Sequence, residues 1–180
     1  EPDVEEYATL IEEEVGRVNR FVADLLKVAR PADPVLAPTS VARVLREAAQ
    51  KAAVARGLPS DTVCVDAAPN VPPLDLDASL LTDAVINLLQ NAFDAGGEPP
   101  EVACAFAGDG GEGVVVVEVR DRGCGVPEDQ LEEVARPFVT TKAGGTGLGL
   151  VIVRRMAEVH RARFELQRRD GGGTVARLSF

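Results

Sequence analysis

An α+β two-layer sandwich is the fold class this sequence predicts, and three observations predict it. Segments with helical periodicity and short strand-like runs are mixed without strict βαβ alternation, which disfavours a doubly wound parallel sheet. Residues 114–120 are β-branched and nearly continuous, as a central buried strand would be. Apolar residues make up 46% of the 180 positions, enough for a core.

The elements follow in order. Residues 3–29 carry Tyr7, Ile11, Val18, Phe21, Leu25 and Val28 at near-heptad spacing, interrupted at Glu14. One helix cannot bury such a stripe alone, so it needs a missing partner or a second copy of itself. Arg30-Pro31 ends it, and Pro31, Pro34 and Pro38 make 31–39 an extended linker. The expected division is therefore a partial dimerisation-type helix over 1–30, a linker over 31–39 and one domain over 40–180. A second helix starts at the cap residue Ser40 and stops at Gly57. Short strands are expected at 63–66 and 74–76. A third helix over 78–95 opens after Asp77 and ends at Gly96-Gly97. Strands are expected at 102–106 and 114–120, then a long loop, a fourth helix over 148–160, and closing strands at 164–167 and 174–180.

Composition narrows the function. Acidic residues outnumber basic ones by 29 to 19, for a net charge of −10, which argues against a nucleic-acid partner. An acidic chain still accommodates a polyanion where a metal ion and backbone dipoles do the work. Cys64, Cys104 and Cys124 are odd in number and lack CxxC spacing, so reduced thiols in a cytoplasmic compartment are expected. No apolar run approaches the roughly 18 residues of a membrane span, and no membrane contact is expected of this segment. The chain opens on Glu1-Pro2 rather than Met and reads as a piece of a longer protein, whose other parts could hold a membrane anchor.

Three motifs carry chemistry. Asn87, Asn91 and Asp94 are spaced four and three apart and share one face of the third helix. An amide oxygen there suits Mg²⁺, which prefers hard oxygen donors and keeps several waters; a merely solvated polar face is the alternative. Asp121-Arg-Gly123-Cys-Gly125 follows the buried strand, where a carboxylate can accept from a base amine and glycines admit a flat ring, or simply make a turn. Gly144-Gly145-Thr146-Gly147-Leu148-Gly149-Leu150 runs into a helix, whose free N–H groups favour phosphate, unless it is only a hinge. It matches neither the P-loop spacing nor a dinucleotide fingerprint.

Taken together and in this order, the motifs resemble the Bergerat ATP-binding fold of histidine kinases, type II topoisomerases, mismatch-repair proteins and a heat-shock chaperone. Residues 87–95 resemble its N box, 121–125 its G1 box and 145–150 its G2 box. Pro137-Phe138-Val-Thr-Thr-Lys142 resembles the F box and lid of sensor histidine kinases, with motifs of the nitrogen-regulation type. Glu14-x-x-Arg17 and 25–31 resemble those kinases' second dimerisation helix.

The resemblance implies a mixed sheet of about five strands with three main helices, behind one long N-terminal helix. It implies ATP and Mg²⁺ as cofactors, with Asn91 on the metal and Asn87 supporting phosphates or metal waters. Asp121 reads the adenine, with Gly123 and Gly125 making room. Gly145, Thr146, Gly147, Leu148 and Gly149 wrap the triphosphate, with Phe138, Thr141 and Lys142 from the lid. ATP-hydrolysing relatives place a glutamate base one turn before the metal asparagine; here that residue is Asn87, which cannot take a proton. Transfer to a histidine needs no such base, because imidazole is itself a nucleophile and catalysis is mostly positioning by Asn87, Asn91 and Lys142. A protein-histidine kinase is thus favoured over a Bergerat-fold clamp ATPase or a nucleotide-sensing module without transfer. Its partners would be a histidine-bearing helix of the parent, a response regulator receiver domain, and a second copy through the N-terminal helix. His160 is expected not to be the acceptor, since it closes a helix and lacks the acceptor's flanking residues; that histidine belongs upstream of Glu1.

Overall fold

Five strands form the main sheet of the computed structural model, which describes every residue except 1–3, 30–32, 110–111, 128–129, 132, 135, 141 and 143–144. They are β2 (Cys64–Ala67), β4 (Glu101–Asp109), β5 (Glu112–Arg120), β6 (Arg163–Arg168) and β7 (Thr174–Ser179), in the order β2-β4-β5-β7-β6. Only β2 and β4 run parallel; the other pairs are antiparallel, so the sheet is mixed as expected. Helices α2 (Val41–Val54), α3 (Ala78–Asp94) and α4 (Gly149–Val159) pack together against it, and the long α1 (Val4–Ala29) lies against α4.

The core lies between the helices and one sheet face. Val102, Cys104, Val115, Val117, Val119 and Leu178 come from the sheet; Leu45, Leu81, Val85, Leu89 and Val153 come from the helices. Each fully buried aliphatic side chain of this size contributes about 1.5–3 kcal/mol. β5 is the central strand, but it is not buried on both faces. Alternate residues point away from the helices: Val114 is 42% exposed, and Glu118 is held between Arg120 and Arg177. The expected central buried strand is thus in place, with only one of its faces roofed by helices. Among the cysteines, buried Cys104 has its thiol pushed up to about 11 by burial, while Cys64 and Cys124 are exposed.

Two further departures concern the linker and a cap. Part of the expected linker is a strand, β1 (Ala37–Thr39), paired antiparallel with β3 (Leu74–Leu76) in a separate two-stranded sheet. Pro38 is tolerated there because such a ribbon leaves one side of each strand unpaired. The end of α1 expected at Arg30-Pro31 lies outside the described residues. Ser40 does precede α2, but its side chain makes no capping bond; its carbonyl instead accepts from Arg43 and Val44.

Asp77 caps α3 as its position implies, accepting from Ser79 and Leu80 amides at 2.9 and 3.1 Å. Its second oxygen takes the Val35 amide at 3.0 Å. The Asp77 N–H donates to His160 Nε2 at 2.9 Å. A backbone amide can only donate, so Nε2 is the unprotonated nitrogen; Nδ1 therefore carries the hydrogen and donates to the Met156 carbonyl at 2.8 Å. Both ring nitrogens of the chain's one histidine are thus used in tying the end of α4 to the start of α3. Among the described residues, no helix is long and apolar enough to cross a membrane.

Candidate functional site

Helix α3 presents Asn87, Asn91 and Asp94 to a cleft of about 1000 Å³ that α4, the glycine-rich loop and the sheet close from the other sides. The helix forms because Leu81, Ala84, Val85 and Leu89, at three- and four-residue spacing, bury its opposite face, leaving the polar row outward. Asp121, at the end of β5, also lines the cleft, as do Lys142, Gly145, Thr146, Gly147 and Gly149. The three sequence motifs therefore converge on one cavity.

Asp121 is buried, and its Oδ1 accepts from the Gly123 and Thr174 amides at 2.9 and 3.2 Å. Those two bonds fix the carboxylate plane. Oδ2 has no donor among the described residues, so one acceptor lone pair set remains for a ligand. Gly123 and Gly125 do not line the cleft. A Cβ on Gly123 would stand 2.4 Å from the Ala95 carbonyl, and one on Gly125 would stand 3.1 Å from the Gly173 carbonyl. In this structure both glycines serve close packing of the loop around Asp121, against the end of α3 and the β6–β7 turn.

At the other end of the polar row, Lys142 Nζ donates to Asn91 Oδ1 at 2.7 Å and to Asp94 Oδ2 at 2.8 Å. Burial alone would raise the Asp94 carboxyl, but hydrogen bonds and charge from Lys142 and Arg56 outweigh it and hold the group below its ordinary value of 3.8. Asn87 donates through Nδ2 to the Asp83 carbonyl at 2.9 Å. Its Oδ1 lies beside Gly149, where a Cβ would stand 3.1 Å away. The start of α4, whose first-turn amides have no intrahelical partner, is therefore directly across from the asparagines.

Gly147 has φ +66, and a Cβ there would stand 2.5 Å from the Phe138 carbonyl carbon, so only glycine fits. The Phe138 N–H donates to the Gly147 carbonyl at 3.0 Å. The Phe138 ring itself is 61% exposed, its backbone is left-handed, and it is not a wall of the cleft. Leu148 is fully buried beneath the loop, and Thr141 and Gly144 lie outside the described residues.

Sequence reasoning missed several lining residues. Arg56, just past α2, pairs with Asp94 and lies over the Phe93 ring, 5.1 Å from its centroid. Asp24 reaches in from α1, accepting from the Thr146 hydroxyl at 2.9 Å, while Lys27 pairs with Asp83 at 3.0 Å. Neither Asp24 nor Arg56 sits in a motif; a polar residue on an otherwise ordinary helix gives no local signal of a partner 122 or 38 positions away. Among the described residues, no cluster of three or more His, Cys, Asp or Glu side chains could hold a metal. A divalent cation would depend on Asn91 Oδ1, on water and on ligand oxygens. That amide oxygen already accepts from an ammonium group, so the position suits a cation.

Several known proteins resemble this chain. The family described as histidine kinase-, DNA gyrase B-, and HSP90-like ATPase matches residues 76–180. Sensor histidine kinase ZraS of Escherichia coli (strain K12) is 28% identical over 98% of this chain and 37% of its own length. Nitrogen regulation protein NtrY of Azorhizobium caulinodans is 31% identical over 92% of this chain and 22% of its own. The chain thus spans less than two fifths of either curated relative. A crystal structure of full-length ShkA in complex with AMPPNP superposes with a TM-score of 0.76 at 25% identity, covering 99% of this chain and 39% of that one.

Proposed function

Because the chain belongs to the histidine kinase-, DNA gyrase B-, and HSP90-like ATPase family, we propose that it is the Mg·ATP-binding catalytic domain of a two-component sensor histidine kinase. It would pass the γ-phosphate of ATP to a histidine on a helix of its parent protein, from which a response regulator receiver domain takes it. One observation carries this reading: Asp121, Asn91, Lys142 and the start of α4 line a single cleft, with Asn87 where a hydrolytic relative needs a base.

Each residue then has a task. Asp121 Oδ2 accepts from the adenine amine in a buried setting where a charge-assisted hydrogen bond discriminates strongly. Gly145, Thr146, Gly147, Leu148 and Gly149 wrap the phosphates, and Lys142 moves from Asp94 onto the tail, with Phe138 and Thr141 in the same lid. Asn91, with Asn87 beside it, holds Mg²⁺, which supplies charge neutralisation to the triphosphate. Because Asn87 cannot take a proton from water, the cleft orients the γ-phosphate without directing hydrolysis. His160 is not the acceptor in this reading: both its nitrogens are already engaged, and it ends a helix that starts at the cleft and runs 11 residues away, about 16 Å. The division into a dimerisation-type helix over 1–30, a linker over 31–39 and a catalytic domain over 40–180 is part of the same proposal. So are self-association through α1 and work on the cytoplasmic side, with any membrane anchor elsewhere in the parent.

The test is incubation with labelled Mg·ATP, alone and with helices bearing an acceptor histidine supplied in trans. Nucleotide binding, no acid-labile and alkali-stable label on His160, and labelling of the supplied helices are expected. Label on His160 would overturn the acceptor assignment. Fast phosphate release that is lost on changing Asn87 would instead favour a clamp ATPase.

A further inference from the structure

We propose that Arg56 is a second phosphate-binding cation of the cleft, held ready by Asp94 and transferred to the polyphosphate when nucleotide enters. This rests on the nucleotide-binding reading above and adds a residue from outside the family match at 76–180. The charged side chains lining the cleft are Asp24, Asp94 and Asp121 against Arg56 and Lys142. Three acids and two bases on a chain of net charge −10 make a poor receptacle for a polyanion unless both cations face it. Both are in place and both share one counter-ion, since Arg56 pairs with one Asp94 oxygen while Lys142 holds the other at 2.8 Å.

The guanidinium has capacity to spare. Its contacts to Asp94 and to the Gln90 carbonyl, the latter at 3.4 Å, both use Nη2. Nη1 and Nε have no acceptor among the described residues, and a planar fork with free donors suits phosphate oxygens. The Phe93 ring lies beneath it, 5.1 Å from centroid to guanidinium carbon, within cation–π range. Asp94 then acts as a placeholder: phosphate oxygens replace its carboxylate as the partner of Arg56 and Lys142.

Calorimetric titration of the whole chain with Mg·ATP, ADP and adenosine tests this in Arg56→Gln, Arg56→Lys and Asp94→Asn variants, each checked for native unfolding temperature. Arg56→Gln should weaken ATP and ADP about tenfold or more while leaving adenosine unchanged, as expected for a lost hydrogen-bonded charge. Arg56→Lys should recover part of that loss. Asp94→Asn should bind ATP as tightly as the unaltered chain or more tightly, because a negative charge beside the phosphates is gone. The opposite signs separate phosphate contact from a structural Arg56–Asp94 pair, which would make both variants weaken ATP and adenosine alike and overturn the proposal. ATP affinity within twofold of native in Arg56→Gln overturns it as well. An unaltered chain that takes up no ATP defeats the functional reading itself, whereas normal uptake with an indifferent Arg56→Gln defeats only this assignment.

Discussion

The Lys142 ammonium donates to the Asn91 side-chain oxygen across 2.7 Å, so the amide best suited to a metal ion already carries a positive group. A dication and an ammonium cannot share that oxygen at close range, so a metal ion bound there would send Lys142 elsewhere in the cleft.

Asn91→Ala should therefore erase most of the dependence of ATP affinity on Mg²⁺. Titrations with the metal and with a chelator measure the difference directly. A variant that keeps the whole difference would show that another group holds the ion.

Asp121→Asn should weaken ATP binding by more than about 1 kcal/mol, roughly fivefold, because a charge-assisted acceptor is replaced by an amide donor facing the base amine. The two amides bonded to Oδ1 remain satisfied by the asparagine oxygen, so the loop keeps its place. Calorimetric affinity unchanged from native would remove the adenine assignment.

His160→Ala should destabilise the fold by about 1–3 kcal/mol, since it leaves the Asp77 amide without its partner and removes the imidazole's bond to the Met156 carbonyl, which keeps only the residue 160 amide. Nucleotide affinity should stay within about twofold of native, because the imidazole is no part of the cleft. Urea unfolding beside nucleotide titration reads both, and a variant as stable as native would mean the tie contributes nothing.

Acid sensitivity should trace in part to Glu118. Burial pushes its carboxyl up, but hydrogen bonds and charge from Arg120 and Arg177 outweigh that and hold it below its ordinary value of 4.5. A depressed folded value means its stabilising contribution is present above 4.5 and is lost as pH falls through the lower folded value. Denaturant midpoints measured from neutral pH downward should show a shallower acid decline in Glu118→Gln than in the native chain; parallel declines would assign the sensitivity to other groups.

Much of this was legible in the sequence. The period of α3 placed Asn87 and Asn91 on its outward face, and the glycine spacing at 145–149 marked a loop entering α4. The valines of β5 identified the central strand but not its open face, because a β-branched run reads alike whether one or both sides are roofed. What stayed hidden depends on long-range pairing. Proline-rich 31–39 gave no sign that 37–39 would pair with 74–76, and Arg56 and Asp24 reach the cleft only through the packing of α2 and α1. Phe138, expected among the lid residues at the nucleotide, instead has an exposed ring on a left-handed backbone, which no local pattern announces.

The tie between His160 and Asp77 pins the end of α4 to the start of α3, and the two helices stay close as far as Asn87, whose Oδ1 lies beside Gly149. The imidazole is thus a rivet of the helix layer, a full helix length from the chemistry, and its loss is felt by the fold and not by the grip on nucleotide.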